Sequence, residues 1–249
     1  YDTSPYAYCM NNPTRYVDPD GCSTWVVQDR NGTYRVISGN KDDEDTGIYQ
    51  IRSFEDILDM LKTGKGGSMI GRSLTTHSFY DPDTDQYLGI IDPIDDSGMN
   101  FISDLNSSDP ELTHYMNNAK ENQYYDFKTW GIDKIPRTQH LAHKYRGMKF
   151  GPYSSIPLYA SARDIGNFGA GLVAGKYCIP WGEARKEFDK LESTQQLRPT
   201  VEGMTSQLAQ FAGWQTGSRI AKKSPLSTAN RLRKSLIPGG KHIWRNRKK

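Results

Sequence analysis

The chain reads as an α+β fold, a small mixed β region followed by a C-terminal helical cluster. Before residue 131, apolar residues come in short β-branched or aromatic runs separated by Asn-Gly, Asp-Pro and Gly turns, as strands and hairpins do. After residue 162 they recur at helical spacing among Gly and Ala. Between them, residues 131–162 carry Pro136, Pro152 and Pro157 with several Gly, and read as a long irregular link of the kind that often serves function.

Trp25-Val26-Val27 and Tyr34-Arg35-Val36-Ile37 flank a turn whose Asn31-Gly32 is a strong hairpin signal. Lys41 to Asp45 form a solvated acidic loop. Ser53 caps a helix over Phe54 to Lys62, with Phe54, Ile57, Leu58 and Leu61 on one face and Gly64 at its end. The following TGKGGS lacks the GxxxxGK[ST] spacing of a phosphate loop. Ser73 to Tyr80 and Tyr87 to Ile91 read as strands. Asp81, Asp83 and Asp85 between them imitate a calcium loop, but Gln86 stands where that loop needs Gly, so a plain hairpin turn is the reading.

Residues 109–120 read as a helix with Asp109 as N-cap and Pro110 at its first position. Further helices are expected over 163–177, from Pro180 through Gln195, and from Gly203 or Thr205 through Arg219. In the first of these, Ile165, Phe168, Leu172 and Val173 sit among Gly169, Ala170, Gly171, Ala174 and Gly175. Such small residues permit close helix packing, although each Gly weakens the helix by roughly 1 kcal/mol relative to Ala. Glu183, Glu187, Asp189 and Glu192 are expected on the solvated face of the second helix.

The 249 residues suffice for one large domain or two small ones, and no apolar run reaches the length of a membrane span. Tyr1-Asp2 opens no signal peptide, so an export signal is expected elsewhere in a longer parent. Cys9, Cys22 and Cys178 lack the paired spacing of a zinc site or disulfide framework. The net charge of +3 conceals an asymmetry. Residues 219–249 hold eleven Lys or Arg and no acid, so the preceding 218 residues carry −8. A basic tail on an acidic body serves nucleic acid, an acidic partner or the body itself.

The first twenty-one residues, YDTSPYAYCMNNPTRYVDPDG, hold two successive turns, Asn11-Asn12-Pro13 and Asp18-Pro19-Asp20-Gly21, and too few apolar residues to fold alone. The run resembles the terminal signature of the core of RHS/YD-repeat proteins, after whose DPxG a variable C-terminal toxin follows. The resemblance implies three segments: the end of an RHS core at 1–21, a toxin domain at 22–218 divided into 22–130, 131–162 and 163–218, and a basic tail at 219–249. It also implies a secreted effector delivered into a target bacterial cell, with the RHS shell and a cognate immunity protein as partners.

A second resemblance lies over residues 120–218. YYDFK at 124–128, RDIGNFGAG at 163–171 and TSQLAQFAGWQTG at 205–217 are similar to motifs of the toxin type 44 group of bacterial polymorphic toxins. The link between the first two motifs is longer than in that group, and the helix PWGEARKEFDKLES is additional.

Asp126 and Lys128 share a face if their segment is extended, placing a carboxylate beside a cation that stabilises developing charge. Asp164 and Asn167 share a face at a helix start, where Asp164 serves equally as N-cap, and Asn167 is a polar residue on a helix built for burial. These four are the catalytic candidates; Arg163, His77 and Gln210 are the substrate-binding ones. His140 and His143 are spaced i, i+3 without a third ligand at telling distance.

Three activities follow. A nuclease, with a divalent metal as its conceivable cofactor, rests on Asp126, Lys128 and the tail, and is the leading expectation. A peptidoglycan-cleaving glycosidase rests on the helical cluster and its carboxylates. A non-enzymatic plug or binding module of the RHS shell rests on the acidic body.

Overall fold

The computed structural model describes residues 23–42, 45–64, 66–120, 123–128, 139–151 and 155–223. The RHS-like run and most of the basic tail lie outside them. The fold is α+β, and its β part is a small closed barrel. β1 (Ser23–Gln28) and β2 (Tyr34–Asn40) pair antiparallel from Gln28 opposite Tyr34 to Ser23 opposite Asn40. In their turn the Asn31 carboxamide oxygen accepts from the Thr33 N–H and hydroxyl, and Gly32 takes a φ of 89°. β3 (Gly47–Gln50) runs parallel to β1. It leads into α1 (Phe54–Thr63), which starts with a reciprocal Ser53–Asp56 capping box and ends on left-handed Gly64.

β4 (Ser68–Ser73) follows, then the short hairpin of β5 (Tyr80–Asp81) and β6 (Gln86–Tyr87), then β7 (Ile90–Asp92). β8 (Gly147–Lys149) and β9 (Leu158–Ser161) complete a barrel of order β1-β2-β7-β8-β9-β4-β3, with β3 returning to β1. Val26, Val36, Ile48, Phe79, Ile91 and Tyr159 fill its interior.

Several expectations need correction. α1 has the predicted apolar face, yet none of its residues is buried, and Phe54 and Leu61 are 68% and 72% exposed. The strand expected over Ser73 to Tyr80 ends at Ser73. Beyond it, Ser78 Oγ bonds the backbone of Thr75 in both directions, and His77 takes a φ of 62°, so local side-chain bonds displace a strand ladder. The helix expected over 109–120 is present but starts later, as α3 (Leu112–Asn118) after Glu111; Asp109, expected as its N-cap, instead ends a preceding helix, α2 (Ser97–Ser108), left-handed at φ 45° with its carboxylate 2.8 Å from the Lys176 ammonium. The described parts of the irregular link supply α4 (His140–Lys144) and two barrel strands; strands of three or four residues are too short to display a period.

α5 (Ala162–Lys176), α6 (Trp181–Gln196) and α7 (Met204–Lys223) make the helical side. The N-cap of α5 is Ser161, whose hydroxyl accepts from the Asp164 N–H. α5 and α7 meet almost backbone to backbone. A Cβ on Gly171 would lie 1.8 Å from the Gln210 carbonyl oxygen and one on Gly175 2.2 Å from that of Trp214. Reciprocally, Gly213 faces the Phe168 oxygen at 2.0 Å and Gly217 the Leu172 oxygen at 2.1 Å. Because the partners advance together along both helices, α5 and α7 run parallel and α6 is the return crossover. Phe101, Leu105, Phe127, Met148, Ile165, Phe168 and Leu172 form the core beneath them. No helix among the described residues is long and apolar enough to cross a membrane.

Candidate active site

A cavity of about 400 Å³ opens between α3, the turn at 123–128, α5, α6 and the loop entering α7. The turn is fixed by Arg146. Its guanidinium donates to the carbonyls of Phe127 at 2.7 Å and Lys128 at 2.9 Å, and lies 4.9 Å from the centroid of the Phe127 ring. The Tyr125 N–H donates to Asn118 O and the Asp126 N–H to Gln123 O. Asp126 and Lys128 are therefore not on an extended strand, and the alternation expected to align them does not operate. Both nevertheless line the cavity. Gly166 brings the second motif against the first, since a Cβ there would sit 3.9 Å from that of Phe127.

The parallel seam of α5 and α7 assembles the far wall. Asn167 Oδ1 accepts from Gln210 Nε2 at 3.2 Å, and Gln210 Nε2 also donates to Glu202 Oε2 at 2.5 Å. Arg185 of α6 donates to Gln210 Oε1, to Glu202 Oε2 at 3.0 Å and to Asp189. Asp189 in turn accepts from the Glu202 N–H. Asp189 thus faces inward, unlike the solvated Glu183–Lys186 pair on the same helix. One guanidinium serves two carboxyl groups here. Burial raises the Glu202 pKa, and the hydrogen bonds from Gln210 and Arg185 only partly oppose the shift. Glu202 Oε1 has no hydrogen-bond partner among the described residues. The same holds for Lys128 Nζ and for Asn167 Nδ2, and all three residues line the cavity.

Three candidates fall elsewhere or have other work. Asp164 is 0% exposed and outside the cavity wall, where it accepts from Thr75 Oγ1 at 2.6 Å, Ser78 Oγ at 2.5 Å and Arg163 Nε at 3.1 Å. It has no path to a substrate. Arg163 borders the cavity, but its donors are committed to Asp164, to the Tyr145 hydroxyl and to the carbonyls of His77, Ser78 and Tyr80. Together they lock the start of α5 to the 75–81 segment instead of binding substrate. His77 does not line the cavity; its ring packs on Tyr80, and burial with the nearby Arg163 charge lowers its pKa.

Of the sequence candidates, the structure therefore brings Asp126, Lys128, Asn167 and Gln210 to one cavity. Glu202 and Arg185 were not legible: a lone acid before Gly203 carries no spacing signal, and its partners reach it from α6 and α7. Among the described residues no group of three or more His, Cys, Asp or Glu is placed to hold a metal ion. Compared with protein families, curated proteins and solved structures, the chain matches none. The two motif resemblances stand on the quoted residues alone.

Proposed function

We propose that the chain is the toxin end of an RHS-type effector and that its cavity hydrolyses a glycosidic bond in a cell-wall glycan. The toxin part is supported by the run ending Asp18-Pro19-Asp20-Gly21 and the motifs after it. The reaction class is carried by one observation: of the carboxyl groups among the described residues that line the cavity, Asp126, Glu187, Glu192 and Glu202, burial biases Glu202 toward its protonated form while Asp126 reaches the same space from a different element. Glu202 is the general acid that protonates the leaving oxygen. Asp126 acts on the opposite side of the bond, as base for the attacking water or as nucleophile. Water supplies a hydroxyl to the sugar carbon; its proton goes to Asp126 in the first case, with exchange with solvent resetting both groups, and to the deprotonated Glu202 in the second. Lys128 and Asn167 supply donors for charge developing on the substrate.

A nuclease is the second reading, favoured by the uncommitted Lys128 ammonium and the eleven basic residues after 218. Producing the full chain in bacterial cytoplasm and periplasm separates the two. Periplasmic lysis, abolished by Asp126→Asn at equal soluble level, is the expected result. Arrest confined to the cytoplasm with loss of nucleic acid would select the nuclease. No growth defect in either compartment would remove the toxin reading. Co-production of a cognate immunity protein is expected to restore growth.

A further inference from the structure

Two phenols of the cavity wall pack on each other, and their hydroxyls make no hydrogen bond among the described residues. Tyr115 of α3 and Tyr125 of the 123–128 turn are each 5% exposed, and both line the cavity. Their ring centroids lie 5.0 Å apart with the planes tilted by 36°. Neither hydroxyl has a hydrogen-bond partner among the described residues. Tyr145 and Tyr177, equally buried but away from the cavity, behave differently. The first donates to Asp81 at 2.8 Å and the second to the Pro110 carbonyl at 3.0 Å.

A cavity-lining hydroxyl that no neighbouring protein group engages is available to water or to a ligand that completes its bond. Here two such groups occur side by side, on separate elements that line the same cavity. Burial raises both pKa values, that of Tyr125 to about 12, and for Tyr115 the neighbouring Tyr125 and the Asp126 carboxylate reinforce the effect. Both phenols are therefore protonated at neutral pH. Each can donate one hydrogen bond and accept others, the mixed capacity that matches ring hydroxyls, while the rings supply a flat apolar wall for a saccharide face.

We propose that Tyr115 and Tyr125 form a paired substrate clamp that holds the hydroxyl groups of a saccharide ring beside Asp126. This assignment rests on the glycosidase reading of the cavity. It makes the tyrosine pair a binding device, distinct from the proton-transferring Glu202.

The test is Tyr115→Phe, Tyr125→Phe and the double variant in the full chain, which delete the hydroxyls and keep the rings. Turnover of purified peptidoglycan sacculi and the melting temperature are measured together. Each single variant is expected to raise KM roughly 10-fold and the double roughly 100-fold, with melting temperatures equal to or above that of the wild-type chain because no internal bond is lost. Undiminished turnover in the double variant overturns the clamp. So does loss of turnover accompanied by a clear fall in melting temperature, since the hydroxyls would then be structural. If the wild-type chain leaves sacculi intact and degrades nucleic acid, the glycan reading fails and the saccharide clamp with it. Wild-type cleavage of sacculi with unaffected variants defeats the clamp alone.

Discussion

The two sides of α5 bury polar groups in opposite ways. On the barrel side, Asp164 is fully enclosed and each of its oxygens is taken, by Thr75 and Ser78 on one and Arg163 on the other. On the cavity side, Asn167 of the same helix uses its oxygen on Gln210, and its amide nitrogen has no hydrogen-bond partner among the described residues. Lys128, Glu202 and the two phenols do likewise around it. A closed set of bonds stabilises a fold. An open set, as on the half-buried Lys128, Asn167 and Glu202, keeps donors and acceptors available to a bound molecule. Partner status, more than residue type, distinguishes the cavity wall from the closed cluster around Asp164.

The largest expected effect comes from breaking the closed side. Asp164→Ala leaves the Arg163 guanidinium buried without its carboxylate and the Thr75 and Ser78 hydroxyls without an acceptor. It should cost about 3–5 kcal/mol, read by denaturant unfolding. If Asp164→Ala instead removed activity while unfolding at the wild-type midpoint, Asp164 would be a site residue and the contrast between the two sides would collapse.

A smaller loss is expected at the seam that builds the open side. Gly213→Ala places a methyl 2.0 Å from the Phe168 carbonyl oxygen, against backbone that cannot rotate away. Parting α5 from α7 should cost about 1–3 kcal/mol and pull Gln210 from Asn167, so activity should fall along with the melting temperature. Wild-type values for both would show that the helices have room to separate.

What was legible in the sequence follows from how local each signal is. The β1–β2 hairpin, the Ser53 cap and the helices over α5 to α7 are written in neighbouring residues. β8 and β9 are not, because three- and four-residue strands show no period and exist only where the barrel closes on them. The same limit governed the site. Asp126 and Lys128 stood out as residue types in an aromatic setting, yet their alignment comes from Arg146 holding a turn and not from strand alternation. Arg163 and Asp164 looked equally functional, because the partners that commit them come from residues 75–81 and 145, far off in the chain. Glu202 had nothing local to mark it; Arg185, Asp189 and Gln210 reach it from two other helices.

Glu202 offers the most direct test of the claim that the open cavity is the active site. Its pKa is raised on folding, so the unfolded chain releases this proton first and the folded state binds more protons between the two values. Stability therefore falls as pH rises from the ordinary glutamate range through the folded value. Glu202→Gln removes that loss and, with it, the general acid. The measurement is sacculus cleavage by purified wild-type and Glu202→Gln chains, paired with unfolding at each pH. The expected variant is as stable as wild type or more so, increasingly as pH rises above about 4.5, with turnover reduced about 10²–10⁴-fold. A stable variant that cleaves at the wild-type rate would contradict it.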